Sequence, residues 1–321
     1  MDTASPPAGH PAPGAPPFPG MVWVPPGEYL MGSDHHYAEE APAHPVKVDG
    51  FWMDASPVTN AQFRRFVEET GHVTFCELAP LAEDYPGADP AMLVPASVVF
   101  VAPPGRVDMA NHFAWWRFIP GANWRHPNSP EDNLEGRDQH PVVHVAYVDV
   151  EAYARWAGKQ IPTEAQWEWA ARGGGSSEFA WGDELAPGGR HMANTWQGEF
   201  PWQNLAEDGH VGISEVGSFP ANPYGLYDMI GNVWEWTSDW YAARHAAPEA
   251  KACCIPSNPR GPAQDASYDP AQPLRIPRKV MKGGSHLCAP NYCRRYRPSA
   301  RMAQPLDTST SHLGFRCIVP G

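Results

Sequence analysis

The chain has no run of eighteen apolar residues, so no membrane-crossing helix is expected. Its first twenty residues hold seven prolines and neither lysine nor arginine, and lack the charged start and apolar stretch of a secretory signal. They read as a disordered Pro-rich tail (1–20) ahead of a single domain (21–321), and the expected compartment is cytoplasmic. Charged residues are scarce, at 18%, and 36 acidic residues outweigh 23 basic ones for a formal charge of −13. That balance argues against nucleic acid or an anionic membrane as a partner. Cysteines are few: 76, 253, 254, 288, 293 and 317. Six thiols allow three disulfides on paper, but without a signal sequence the reduced form is expected. There is no internal repeat and no clear linker.

What the chain does have is proline (38), glycine (29) and tryptophan (14), within a 42% hydrophobic composition. That mixture suggests ordered loops pinned by rings, not long helices. Residues 22–32 read as two short strands around a Pro-Gly turn, and 46–53 as another strand. Thr59 or Asn60 caps a helix that carries Phe63, Phe66 and Val67 and ends at Gly71. The span 75–137 is irregular and holds Trp115, Trp116 and Trp124. Residues 140–147 read as a buried strand. Asp149 caps a second helix, with Gly158 just past its end. Thr163 and Gln166 form a capping box for a third, which stops at Gly173–Gly175. Short strands and turns follow, with an Ala/Pro-rich insertion over 242–275. The order is that of an α+β domain with low regular secondary structure.

One stretch concentrates chemistry. Between Pro270 and Leu306 there is no Asp or Glu, but there are eight basic residues: Arg275, Arg278, Lys279, Lys282, Arg294, Arg295, Arg297 and Arg301. Cys288 and Cys293 lie within it. Positive charge favours the thiolate, which is both nucleophile and metal ligand. A buried apolar pair or a disulfide is the plainer reading. A zinc site needs about four ligands, and adjacent Cys253 and Cys254 supply a poor pattern for it. Two thiolates alone suit Cu(I), and a metal-free redox dithiol is the remaining option.

Two loops are rich in oxygen donors. Asp228, Glu235 and Asp239 punctuate one that also holds Gly225 and Gly231. The other runs Asn194-Thr195-Trp196-Gln197-Gly198-Glu199-Phe200-Pro201 and continues at Glu207-Asp208-Gly209-His210. Ca²⁺ prefers such ligands, though a plain loop satisfied by its own backbone is the simpler reading for each. His140 and His144 would share one strand face without a third ligand. The Gly173–Gly175 run lacks the Lys-Ser/Thr of a phosphate loop.

Several segments together resemble the formylglycine-generating enzyme (sulfatase-modifying factor) family, bacterial type, from about Met21 to Val319. They are Met31-Gly32-Ser33, residues 121–127, 140–145, 162–168, 196–201 and 231–236, Lys282-Gly283-Gly284-Ser285 and Gly314-Phe315-Arg316-Cys317. The resemblance implies a C-type-lectin-like fold. It also implies a copper-dependent aerobic oxidase that converts a cysteine in a Cys-x-Pro-x-Arg segment of an unfolded sulfatase to Cα-formylglycine, with O₂ as co-substrate. Cys288 and Cys293 would hold Cu(I), with Ser285, Tyr292 and Trp234 beside them. Structural Ca²⁺ would be bound by Asn194, the Thr195 carbonyl, Asp208 and the His210 carbonyl at one site. At the other the ligands would be Asp228, the carbonyls of Gly231 and Val233, and Glu235. A monomer is expected.

The chain departs from the family pattern in places. Disulfide partners of secreted relatives correspond to Ala154, Ala171 and Pro298, which leaves Cys317 unpaired. Ala289 and His286 stand where the family often has histidine and an aromatic residue. The 75–110 segment diverges and would border the substrate groove. Two rival functions follow: a copper oxidase of another thiol, and a noncatalytic Ca²⁺-stabilised binding module of the same fold.

Overall fold

The structure, a computed structural model, describes residues 11–246 and 255–321. Cys253 and Cys254 lie outside those residues. Fourteen regular elements follow in order. They are β1 (Met21–Val24), β2 (Gly27–Met31), β3 (His44–Val48), β4 (Phe51–Asp54), α1 (Asn60–Thr70), β5 (Ala96–Phe100), β6 (Trp116–Pro120), α2 (Tyr147–Trp156), α3 (Glu164–Arg172), β7 (Trp234–Trp240), β8 (Arg278–Lys282), β9 (Arg301–Pro305), β10 (Leu313–Gly314) and β11 (Ile318–Pro320). Between them run long loops and short 3-10 turns, an α+β arrangement.

The helices follow their local signals. Thr59 accepts from Gln62 N, and the Gln62 side chain returns the bond to Thr59 N; Gly71 closes α1 at φ 69°. Thr163 and Gln166 repeat the box for α3. In α2 the expectation needs correcting. The helix begins at Tyr147, and Asp149 is its third residue, bonding back to Ala146 N at 2.9 Å.

Two strand readings also change. Residues 46–53 are not one strand. The chain breaks at Asp49-Gly50; β3 pairs with β2, whereas β4 pairs with β1 and β11. Residues 140–147 are buried but carry no ladder. Pro141 makes a lone bridge to Thr59, and His144 adopts a positive φ of 61°. The His140/His144 pairing on one strand face falls with it. Two residues of the segment read as a tail make contacts with the domain. Phe18 packs beneath Lys159, whose ammonium lies 5.3 Å from its ring, and Gly20 O accepts from Ala55 N.

The four-stranded sheet, in the order β10-β7-β8-β9, forms the centre. Helix α3 contributes Trp167 to the main core, in which Phe63 stacks on Tyr153 and Phe315 meets both edge-on. Buried ion pairs tie distant segments to this sheet. Lys282 meets Glu168 at 3.0 Å, Arg301 meets Glu164 at 2.7 Å and Arg316 meets Glu235 at 2.8 Å.

His144 is fully buried, with its ring between Ser97 Oγ and Pro127 O, and burial holds its pKa down to about 4. The folded value lies below the unfolded one, so the unfolded chain takes up the proton first as pH falls. Stability is therefore expected to drop between about pH 6.5 and 4, by about 1.4 kcal/mol per pH unit for this one group. Urea titrations across that range should show the slope in the native protein and a shallower one in His144→Gln.

Candidate active site

The Cys288/Cys293 segment is a tight turn clamped from several sides. Gly283 (φ 95°) and Gly284 (φ 70°) lead into it. A Cβ on Gly284 would lie 2.9 Å from Arg295 O, so the approach admits only glycine. Ser285 O accepts from Cys288 N at 2.9 Å, and Ala289 O accepts from both Tyr292 N and Cys293 N. These bonds fold the four intervening residues back and bring the thiols together. The sulfurs stand 3.3 Å apart, well beyond disulfide length, and both residues are buried.

The pair lies at the floor of a cavity of about 490 Å³. Ser285, Trp234 and Tyr292 line it. So do residues that no local pattern marks, among them His312, Met302 and Gln304 from the C-terminal part. Another wall is new: β5 pairs with β6 as a hairpin inside the span read as irregular, and brings Val98, Phe113 and Trp116 to the cavity. Of the three tryptophans in that span, Trp116 lines the cavity, Trp115 is buried against Tyr292 and Phe200, and Trp124 packs on Phe63 in the main core.

Tyr292 is stacked on Phe200 with centroids 4.3 Å apart, and burial raises its phenol to about 12. It therefore stays a protonated donor at neutral pH. Ser285 touches the thiols through its backbone: its N–H points at Cys288 Sγ at 3.4 Å, while its hydroxyl accepts from Leu287 N. His286 and Ala289 do not reach this cavity. His286 turns to Asn232 O and lines a separate cavity behind the turn, and Ala289 packs among Trp115, Trp196 and Phe200.

The basic island dissolves in three dimensions. Arg294 pairs with Glu178, Arg295 with Glu39, Arg297 with Glu40 and Arg301 with Glu164. Only Arg295 reaches a thiol, its guanidinium nitrogen 3.8 Å from Cys293 Sγ while its plane stacks on Tyr37 at 3.9 Å. The two thiols consequently differ. The Cys288 hydrogen bond, helped by Arg295, draws Cys293 down to about 6; burial first, and then the bond to Cys293, push Cys288 well up. At neutral pH the metal-free pair is one thiolate sharing one proton. Iodoacetamide labelling of metal-free protein is expected to modify Cys293 ahead of Cys288, with a rate that rises through about pH 6. Equal labelling of both would contradict this asymmetry.

The donor set fits a soft, low-coordinate ion. Two thiols face each other, and among the described residues no group of three or more His, Cys, Asp or Glu gathers anywhere to make a harder site. The oxygen loops fit unevenly. In the first, Asp208 accepts from Thr195 N, Gln197 Nε2 and His210 N, which draws Thr195, Asp208 and His210 together beside Asn194. Asn194 spends its amide hydrogens on Gly212 O and Ser214 Oγ, leaving its oxygen to accept. In the second, Asp228 is buried, pushed up to about 6 by that burial, with Gly217 N as a partner. Glu235 there is already clamped by Arg316 and by Trp167 Nε1. Both loops touch the thiol turn: Trp196 N donates to Cys288 O, and Asn232 O accepts from His286 N, each at 3.0 Å.

A low-regularity α+β fold of C-type-lectin-like type, with a buried dithiol at the floor of a cavity, defines the class. A sequence profile described as "Sulfatase-modifying factor enzyme 1-like domain" matches residues 8–320. The chain is 50% identical over 299 residues to the formylglycine-generating enzyme of Mycobacterium tuberculosis, covering 93% of this chain and 97% of that protein. It is 43% identical to that of Streptomyces coelicolor, covering 93% and 88%. Among solved structures, PvdO from Pseudomonas aeruginosa superposes with a TM-score of 0.63 at 22% identity over 94% of each chain, a likeness of fold alone. The chain belongs to the formylglycine-generating enzyme (sulfatase-modifying factor) family and is an oxidoreductase of that family.

Proposed function

We propose that this enzyme oxidises a cysteine in a Cys-x-Pro-x-Arg segment of an unfolded sulfatase to Cα-formylglycine. The observation that carries the reading is the unbonded Cys288/Cys293 pair, 3.3 Å apart at the floor of an open cavity, in a chain of this family. The balance is one substrate thiol, one O₂, two electrons and two protons, giving one aldehyde, one H₂S and one water. An external thiol reductant supplies the electrons. Cys288 and Cys293 would hold Cu(I), which when bound supplies affinity for the substrate sulfur and a route to O₂.

The protein's own share is positioning and exclusion of water. The cavity, about 490 Å³, has room for a cysteine side chain, and its apolar lining of Trp234, Trp116 and Met302 disfavours water. Tyr292, held as a neutral phenol, and the Ser285 hydroxyl donate hydrogen bonds to oxygen atoms at the reacting end. Arg295 keeps negative charge on Cys293, and Glu39 with Tyr37 fixes the guanidinium. The first oxygen loop would bind Ca²⁺ through Asn194, Asp208 and the carbonyls of Thr195 and His210. The second would use Asp228 and the carbonyls of Gly231 and Val233, with Glu235 shared with Arg316.

The test is an aerobic incubation of copper-loaded enzyme with a Cys-x-Pro-x-Arg peptide and a thiol reductant, read by mass spectrometry. Loss of sulfur and gain of an aldehyde is expected. Copper bound with no aldehyde would sink the sulfatase-type substrate. The β5–β6 wall favours one second reading, oxidation of a different thiol, which a panel of thiol substrates distinguishes.

A further inference from the structure

The first oxygen loop and the thiol turn meet across a single peptide group. Trp196 N donates to Cys288 O at 3.0 Å. The Thr195 carbonyl belongs to the same planar, trans peptide, in which C=O and N–H point to opposite sides. One end of the group therefore faces the thiol turn and the other faces the loop. On the loop side Thr195 O accepts from Gln197 Nε2, which also donates to Asp208 Oδ2 at 2.9 Å. That nitrogen bridges two of the oxygens that a cation would draw together. Asp208 Oδ2 also accepts from Thr195 N, at 3.2 Å. The Trp196 ring pins the peptide from the side. It is buried against Phe100 and Phe200, with centroids 5.7 and 5.2 Å away, in the cluster that holds Leu287 and Ala289 on either side of Cys288.

We infer that Ca²⁺ at the first oxygen loop regulates the thiol pair, tightening its hold on Cu(I) by fixing the Thr195–Trp196 peptide that anchors Cys288. This rests on the proposed Cu(I) and Ca²⁺ assignments. A cation on the Thr195 oxygen draws electron density through the peptide and makes the Trp196 N–H a stronger donor. It also ties the peptide to Asn194 and Asp208, so that Cys288 O keeps its partner in a fixed place. A turn already ordered has less freedom to lose when its own metal arrives. The second loop acts in the same direction. Asn232 N donates to Asn194 O at 2.8 Å, and Asn232 O accepts from His286 N at 3.0 Å and from His286 Nδ1 at 2.9 Å. Residues 286 and 288 of the turn are thus each held by an oxygen loop. Because coupling is reciprocal, Cu(I) tightens Ca²⁺ by the same factor.

The experiment uses the full chain stripped of metal. Cu(I) affinity is measured by competition with a chromophoric chelator, with and without Ca²⁺, and Ca²⁺ affinity by calorimetry, with and without Cu(I). Each ion is expected to tighten the other about tenfold. Asp208→Asn should bind Cu(I) at the Ca²⁺-free level whether or not Ca²⁺ is added. Hydrogen exchange of the copper-free native protein gives a readout that needs no variant. Ca²⁺ is expected to slow exchange in 194–212 and 285–293 together, with α1 unchanged. Protection of 194–212 alone, or two ions that bind with mutually indifferent affinities, overturns the inference and leaves both metal assignments standing. Equal protection across the whole chain makes Ca²⁺ a general stabiliser and overturns it as well. A protein that takes up no Ca²⁺, or whose Cys288→Ser variant binds Cu(I) as tightly as the native chain, overturns a metal assignment and the inference with it.

Discussion

Cys293→Ser and Cys288→Ser are each expected to lower aldehyde formation by at least about 1000-fold while leaving the fold intact. The two thiols act as a unit, so losing either should cost nearly as much as losing both. Both are buried, and each serine would place a hydroxyl where a thiol sits, so a stability loss of about 1–2 kcal/mol is expected beside the functional loss. The stability loss is what a merely structural pair would show by itself. If either variant keeps more than about a tenth of the turnover, the pair is not the reacting centre.

The second large effect concerns the support beneath that centre. Arg297 and Glu40 are both fully buried and meet in a bidentate pair, at 2.6 and 2.8 Å, with Ser299 Oγ donating to the same carboxylate at 2.9 Å. The pair joins the turn after β2 to the segment just past Cys293. Arg297→Met would strand a carboxylate in the interior, and a loss of about 3–5 kcal/mol is expected in chemical denaturation. Glu40→Gln with Arg297→Met together should recover part of it, because no uncompensated charge remains. A loss below about 1 kcal/mol for Arg297→Met would mean that water or another cation reaches Glu40.

How much of this was legible in the sequence depends on how local each signal is. The cap of α1 and the capping box of α3 are set by residues no more than three apart; Thr59 caps α1, and Thr163 with Gln166 caps α3, where they were read. The strand over 46–53 was misjudged because its break follows from pairing: β3 and β4 serve different sheets, through partners that no window of a few residues contains. The segment 140–147 looked like a strand because it is apolar and buried. Its burial comes from packing, and the left-handed turn at His144 removes the ladder. The arginines looked like an uncompensated island because their acids, Glu39, Glu40, Glu164 and Glu178, lie more than a hundred residues away in sequence.

The site divides in the same way. Ser285, Cys288, Tyr292 and Cys293 are neighbours in the chain, and the motif places them. The walls are not: Val98, Phe113 and Trp116 come from the β5–β6 hairpin, of which only the first part lies in the divergent 75–110 segment, and Met302 and His312 from beyond the motif. Resemblance could flag the 75–110 region as different, but only the folded chain shows which of its side chains face the thiols. The asymmetry between the cysteines likewise needs Arg295 to be seen reaching Cys293 alone.

The central claim is that Cys288 and Cys293 together form a copper centre. A Cu(I) competition titration followed by X-ray absorption on the loaded protein tests it most directly. The account predicts one copper per chain with sulfur neighbours, lost in both Cys288→Ser and Cys293→Ser. Copper held with nitrogen or oxygen neighbours alone, or bound as tightly by both variants as by the native protein, would contradict it.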